Sequence, residues 1–237
     1  GYSIYDNLVS KTRLKEKNME RERYFEATEF ENIKGIIYNS AKKYAEKTAC
    51  IRKHKNKKEV EYENISYARF LEEINALGTK FFEMGLKDKR IAIVGRNRYE
   101  WVLTHLTNLT GGIVSVPLDK ELQADELESC LSRSKADVVV FDEKYLQIIE
   151  EIKKKNKTSL NEYISMGKQE GYKDILGLVE EGKKLVNDGN KDYIESEIDS
   201  DKMGLLLFTS GTTSKSKAVM LSQIKIASNI YALQLVE

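Results

Sequence analysis

Short runs that are apolar at every position, separated by amphipathic helical stretches, restrict this chain to few architectures. Residues 91–94, 138–141 and 205–208 are runs of that kind, and 113–116 is one apart from Ser115. A strand with one face in water alternates apolar and polar residues, whereas a run with no polar position needs cover on both faces. That is the mark of a parallel sheet flanked by helices. The intervening stretches have helical spacing. Ser66 reads as the N-cap of a helix burying Phe70, Leu71, Ile74, Leu77 and Phe81, closed by Gly85 and Leu86. Asn97, with Glu100 three residues on, predicts a capping box ahead of a stripe of Trp101, Val102, His105, Leu106 and Leu109. Further helices are expected over 125–134, after Asp142, over 175–186 and over 224–236. Pro117 is expected to end the second strand, and 163–166 to add another. Nearer the N-terminus, 33–44 reads as a helix and 48–52 with 60–62 as a β-hairpin. The expected fold class is α/β, a mostly parallel sheet with helices on both faces. Residues 1–30 read as a charged arm and 31–237 as one subdomain.

Composition narrows the function classes. The 39 basic and 38 acidic residues nearly cancel, so no strong field draws the chain to nucleic acid or to an anionic membrane. The lysine clusters at 53–58 and 153–157 fall at expected turns or helix ends and read as solvated surface. Two cysteines (Cys50, Cys130) and two histidines (His54, His105) fit no zinc spacing, and no metal ligand is assigned. With no disulfide framework, a cytoplasmic setting is expected. There is no leader-like pattern, and no apolar stretch approaches the roughly 20 residues needed to span a bilayer. Peripheral contact with a membrane stays open. The chain starts without Met and stops inside a helical pattern, which leads us to expect a piece of a longer protein.

The chemistry concentrates after the fourth apolar run. Leu205 to Gln223 reads LLLFTSGTTSKSKAVMLSQ, a strand leading into a loop with many hydroxyls, one Gly and two Lys. Hydroxyls and backbone N–H groups donate to phosphate oxygens, lysines add positive charge, and Gly lets the backbone approach a ligand. A Walker A loop is excluded: four residues after Gly211 stands Ser216-Lys217-Ala218, not Gly-Lys-Ser/Thr. From the residues alone, three readings stand. They are a phosphate grip of an enzyme, a stand-alone nucleotide- or phosphate-binding module, and a non-catalytic interaction domain whose hydroxyl-rich loop binds nothing.

The same segment resembles the first ATP-binding motif of the adenylate-forming enzymes, which include the acyl-CoA synthetases. The family form is Thr-Ser-Gly-Thr-Thr-Gly, any residue, Pro-Lys-Gly. This chain matches at Thr209, Ser210, Gly211, Thr212, Thr213 and Lys217, and departs at Ser214, Ser216 and Ala218. Leu221-Ser222-Gln223 is similar to a family Leu-Ser-His. Residues 91–101, 116–119 and 65–67 resemble segments of long-chain fatty acyl-CoA synthetases. The resemblance implies the first subdomain of the adenylate-forming fold. It also implies a two-step reaction, in which ATP and a carboxylate give acyl-adenylate and pyrophosphate, and the CoA thiol then displaces AMP. ATP, Mg2+ and CoA are the implied cofactors and cosubstrates. The six matching residues would hold the β- and γ-phosphates. Catalytic residues and the magnesium ligand are expected beyond Glu237, so this piece alone is expected to be inactive. The partners implied are small molecules, not nucleic acid. A fatty acid leads among the acids through resemblance only, with aromatic and amino acids still open.

Overall fold

In the computed structural model, which describes residues 27–55, 60–209 and 216–234, the expected alternation is realised. Helix α1 (Ile33–Lys43) precedes an antiparallel hairpin of β1 (Thr48–Lys55) and β2 (Val60–Ser66). Helix α2 (Tyr67–Glu83), β3 (Arg90–Val94), α3 (Tyr99–Thr110), β4 (Val114–Leu118), α4 (Ala124–Ser134) and β5 (Val138–Phe141) follow. Then come α5 (Leu146–Lys155), β6 (Glu162–Ser165), β7 (Lys173–Asp174) and α6 (Ile175–Asn187). The last elements are β8 (Met203–Thr209), β9 (Lys217–Ser222) and α7 (Gln223–Gln234). One sheet runs β7-β6-β5-β3-β4-β8-β9, parallel throughout except for the antiparallel edge pair β8–β9. Among the described residues no helix is long and apolar enough to cross a membrane.

Strand period explains the layers. Ile91 and Ile93 of β3, with Val138 and Val140 of β5, face a core that includes Phe70, Ile74, Leu77 and Phe81 of α2, Leu103 of α3 and Leu178 of α6. Ala92, Val94, Val139 and Phe141, the alternate positions, face Leu127 and Leu131 of α4 and Ile149 and Ile152 of α5. Both faces of the central strands are therefore covered, as a run without polar residues requires. The ends of α2 follow the sequence reading. Ser66 Oγ accepts from Arg69 N–H at 3.3 Å. Gly85 takes φ +75°, and Leu86 N–H donates to the Phe81 carbonyl at 2.9 Å.

Four local expectations are corrected. No capping box forms at Asn97: Arg98 is the N-cap and makes no side-chain cap bond. Glu100 is buried and instead receives Arg52 Nη2 and Arg98 Nε, each at 2.7 Å. Charged donors satisfy a buried carboxylate better than a backbone amide does. Helix α3 is also rotated from its apolar stripe. Its buried face carries Leu103, Thr104, Thr107, Asn108 and Leu109, while Trp101, Val102, His105 and Leu106 are only half-buried. The cause is Tyr193, which is fully buried and donates its hydroxyl to the Thr107 carbonyl at 2.7 Å. Pro117 does not end β4 but lies inside it, opposite Ile93. The ladder to β8 has its registered pair at Ser115–Leu205, and a residue without an N–H is tolerated where a ladder has stopped. Finally, Thr209 and Lys217, expected to be the two ends of the loop, are the last residue of β8 and the first of β9. Residues 1–26 of the expected arm lie outside the described residues.

Candidate functional site

The carboxyl ends of the parallel strands carry the ligand-facing loops in sheets of this kind. Helix α3 follows β3 on one face and α4 follows β4 on the other. Strand β3 leads through α3 to β4 on one side and β5 leads through α5 to β6 on the other, so the topological switch point lies beyond Val94 and Phe141; β8, the neighbour of β4, sends its chain out at the same end of the sheet. Two arginines near this edge are already engaged. Arg96 forks onto the buried Asp142 at 2.6 and 2.8 Å, and Arg98 bridges Glu100 at 2.7 Å and Glu143 at 2.6 Å. Burial would raise the Asp142 carboxyl. The Arg96 guanidinium, with backbone N–H donors from Lys144 and Arg96, outweighs it and holds the group below the usual carboxylate range.

The motif enters and leaves through the β8–β9 pair. Thr209 stands opposite Lys217, and Thr209 Oγ1 donates to the Lys217 carbonyl at 3.5 Å. The Lys217 side chain is exposed, and no carboxylate of the described residues pairs with it. Of the six residues singled out by sequence, these two are brought together; Ser210, Gly211, Thr212 and Thr213 lie outside the described residues. Next to Lys217, the Ser216 carbonyl accepts Arg133 Nη2 at 2.8 Å and its Oγ accepts Nη1 at 3.3 Å. The same guanidinium lies 5.2 Å from the Phe208 ring centroid. Arg133 was not foreseen, because a basic residue on the polar side of an amphipathic helix carries no signal of its own.

Two other polar side chains have structural roles. Gln223, where the family form has His, turns inward: Nε2 donates to the Leu109 carbonyl at 2.9 Å and Oε1 accepts Ile33 N–H at 3.3 Å. It cross-braces α1, α3 and α7 rather than facing a ligand. His105 Nδ1 lies 2.8 Å from Ser115 Oγ, a pairing that resembles a nucleophile and base. Ser115 is fully buried, however, and burial pushes the His105 imidazole down to about 4, so the pair is a neutral core contact.

Comparison with known proteins agrees with this geometry. A family model described as AMP-binding enzyme matches residues 37–237. A long-chain-fatty-acid–CoA ligase from Rattus norvegicus is 29% identical over 187 residues, covering 72% of this chain and 27% of that protein. A crotonobetaine/carnitine–CoA ligase from Salmonella paratyphi A is 26% identical over 197 residues, covering 83% of this chain and 37% of that protein. The chain thus spans between a quarter and two fifths of the length of these relatives. Among solved structures, a long-chain-fatty-acid-CoA ligase from Archaeoglobus fulgidus superposes with a TM-score of 0.69 at 20% identity, over 90% of this chain and 40% of that one. At that identity the likeness speaks for the fold.

Proposed function

We propose, from the premise that the chain belongs to the AMP-binding enzyme family, that it is the N-terminal part of an ATP-dependent acid–CoA ligase whose acid is a long-chain fatty acid. The observation that carries this reading is the pairing of Thr209 with Lys217 at the carboxyl edge of the sheet, at the two ends of a hydroxyl-rich loop. A carboxylate is a poor acyl donor because its oxygen leaves badly; transfer of AMP onto that oxygen supplies a good leaving group, which the CoA thiol then displaces. The protein's task in the first step is to hold the triphosphate so that the α-phosphorus meets the carboxylate, and to stabilise charge moving onto pyrophosphate. In this reading Thr209, Ser210, Thr212 and Thr213 donate hydroxyl hydrogens to the β- and γ-phosphates, Gly211 lets the backbone come close, and Lys217 contributes a point charge. No Asp or Glu occurs between Thr209 and Lys217, so the motif supplies no acidic magnesium ligand. The adenine and ribose contacts of the family lie later than this motif, so residues 1–237 alone form no thioester.

The acid is the least constrained part of the reading. Fatty acid is favoured by the Rattus relative, while the Salmonella relative is named for crotonobetaine and carnitine. The deciding experiment is Lys217→Ala in the full-length protein. Losing one charge-assisted contact to phosphate costs about 1.5–3 kcal/mol, or roughly one to two decades in kcat/KM for adenylation. Transfer from preformed acyl-AMP to CoA and the melting temperature are expected to hold. If both half-reactions drop equally, or neither changes, Lys217 is not a phosphate ligand and the loop is no working grip.

A further inference from the structure

We infer that Arg133 is a positioning residue for the motif: it holds both limbs of the β8–β9 hairpin at the mouth of the loop and so fixes the backbone that presents Lys217. This rests on the phosphate-loop reading above. The contacts are directional and span both strands. On the outgoing limb, two guanidinium nitrogens reach Ser216, one to the carbonyl at 2.8 Å and one to Oγ at 3.3 Å. On the incoming limb, the guanidinium plane lies 5.2 Å from the Phe208 centroid, within cation–π range. Phe208 and Ser216 flank the Thr209–Lys217 pair on opposite strands. Arg133 comes from neither strand. It belongs to the last turn of α4, whose Leu127, Cys130 and Leu131 are anchored in the core, so the clamp is attached to a rigid element.

Its neighbours leave Arg133 free for this task. Of the acidic side chains on the same helix, Asp125 and Glu128 are taken by Lys155 at 3.8 and 2.6 Å, and Glu126 accepts the Gln123 N–H at 3.4 Å. A flat fork of donors that meets no carboxylate among the described residues turns to a carbonyl, a hydroxyl and an aromatic face. The chemistry of position 216 gives the clamp its purpose. The family form places Pro there, a residue whose ring fixes φ without help. Ser216 has no such restraint, but it brings a hydroxyl that Pro lacks, and that hydroxyl is one of the two groups Arg133 grips. Cys130 Sγ, 3.9 Å from Ser216 Oγ, lines the same contact. The chain thus replaces an intrinsic backbone restraint with a tertiary one.

The test is a mutant cycle in the full-length protein. ATP KM and kcat are read by pyrophosphate exchange, alongside transfer from preformed acyl-AMP and the melting temperature. Arg133→Ala is expected to raise ATP KM about tenfold, because binding must then order a limb that is no longer held in place, with transfer unchanged and the melting temperature little altered, since the contacts to Ser216 are exposed. Arg133→Lys, a point charge without the fork, should fall between. Adding Ser216→Pro to Arg133→Ala should bring ATP KM most of the way back, a rescue that a general structural role would not give. The inference is overturned if Arg133→Ala leaves ATP KM unchanged while Lys217→Ala raises it, if both half-reactions and the melting temperature fall together, or if proline gives no rescue. If Lys217→Ala is itself silent, the phosphate-loop reading fails first and the clamp loses its object.

Discussion

At the scale of single residues, environment outweighs residue type. His105 sits on a helix, near a serine and a tryptophan, and its ring is 5.1 Å from that of Trp101. Its place on an apolar helical stripe reads as a core histidine rather than a catalytic one. What decides is desolvation: burial disfavours the charged imidazole and brings it down to about 4. The consequence for stability has a definite sign. Between about 4 and the ordinary value near 6.5, the unfolded chain binds a proton that the folded chain refuses, so stability is full above pH 6.5 and is lost as pH falls toward 4. His105→Gln keeps a polar group near Ser115 Oγ and removes the titration. We expect unfolding free energies of the variant to decline less than those of the parent between pH 7 and 4, by on the order of 2 kcal/mol. Parallel declines in the two proteins would show that His105 is solvated rather than buried. Glu100 illustrates the same point: its spacing from Asn97 suggests a helix cap, yet its burial recruits Arg52 and Arg98.

At the scale of elements, packing partners distant in sequence decide which face of a helix turns inward. Helix α3 looks amphipathic about its apolar residues, but the face carrying Thr104, Thr107 and Asn108 is the buried one, because Tyr193 arrives from beyond α6. The same tyrosine explains two glycines. A Cβ on Gly78 of α2 would stand 2.1 Å from the Tyr193 ring, and one on Gly111 would stand 2.3 Å from it. Glycine within a helix ordinarily costs about 1 kcal/mol against alanine, so Gly78→Ala is a stabilising substitution by propensity alone. Here the extra methyl meets a fully buried ring that is hydrogen-bonded in place. We expect overpacking to win and to destabilise by about 1–3 kcal/mol, seen as a lowered denaturant midpoint. A raised midpoint would mean the ring can move aside. The strands at the sheet centre were legible because every residue of β3 after Arg90, and every residue of β5, is buried. Strand β9 was not, since Lys217–Met220 are all exposed and no period of two marks an edge with neither face covered. Strand β7 has two residues, too few for any pattern.

At the scale of the whole molecule, the two cores divide the labour. Helices α1, α2, α3 and α6 close one face of the sheet, α4 and α5 the other, and Gln223 ties the last helix back to the first. This scaffold holds the mouth of the motif at the carboxyl ends of the strands. In the proposed first half-reaction, the described residues would offer the Thr209 hydroxyl and the Lys217 ammonium; Arg96, Arg98 and their carboxylates are spent on each other. By the resemblance, the contacts to the nucleoside and the alignment of the carboxylate come after this motif, and a phosphate grip alone would give little rate, because a large share of the acceleration comes from bringing two reactants into line. We therefore expect residues 1–237, given ATP, magnesium, CoA and a long-chain fatty acid, to make neither acyl-AMP nor thioester above a heat-treated control. Radiolabelled ATP resolved for AMP and acyl-AMP, with thiol consumption followed in parallel, reads both steps. Acyl-AMP without thioester would mean that the adenylation site is complete within these residues and that only the transfer machinery lies elsewhere. Thioester would mean that the whole reaction fits on a scaffold a third the size of its relatives, and the division of labour argued from the sheet edge would be wrong.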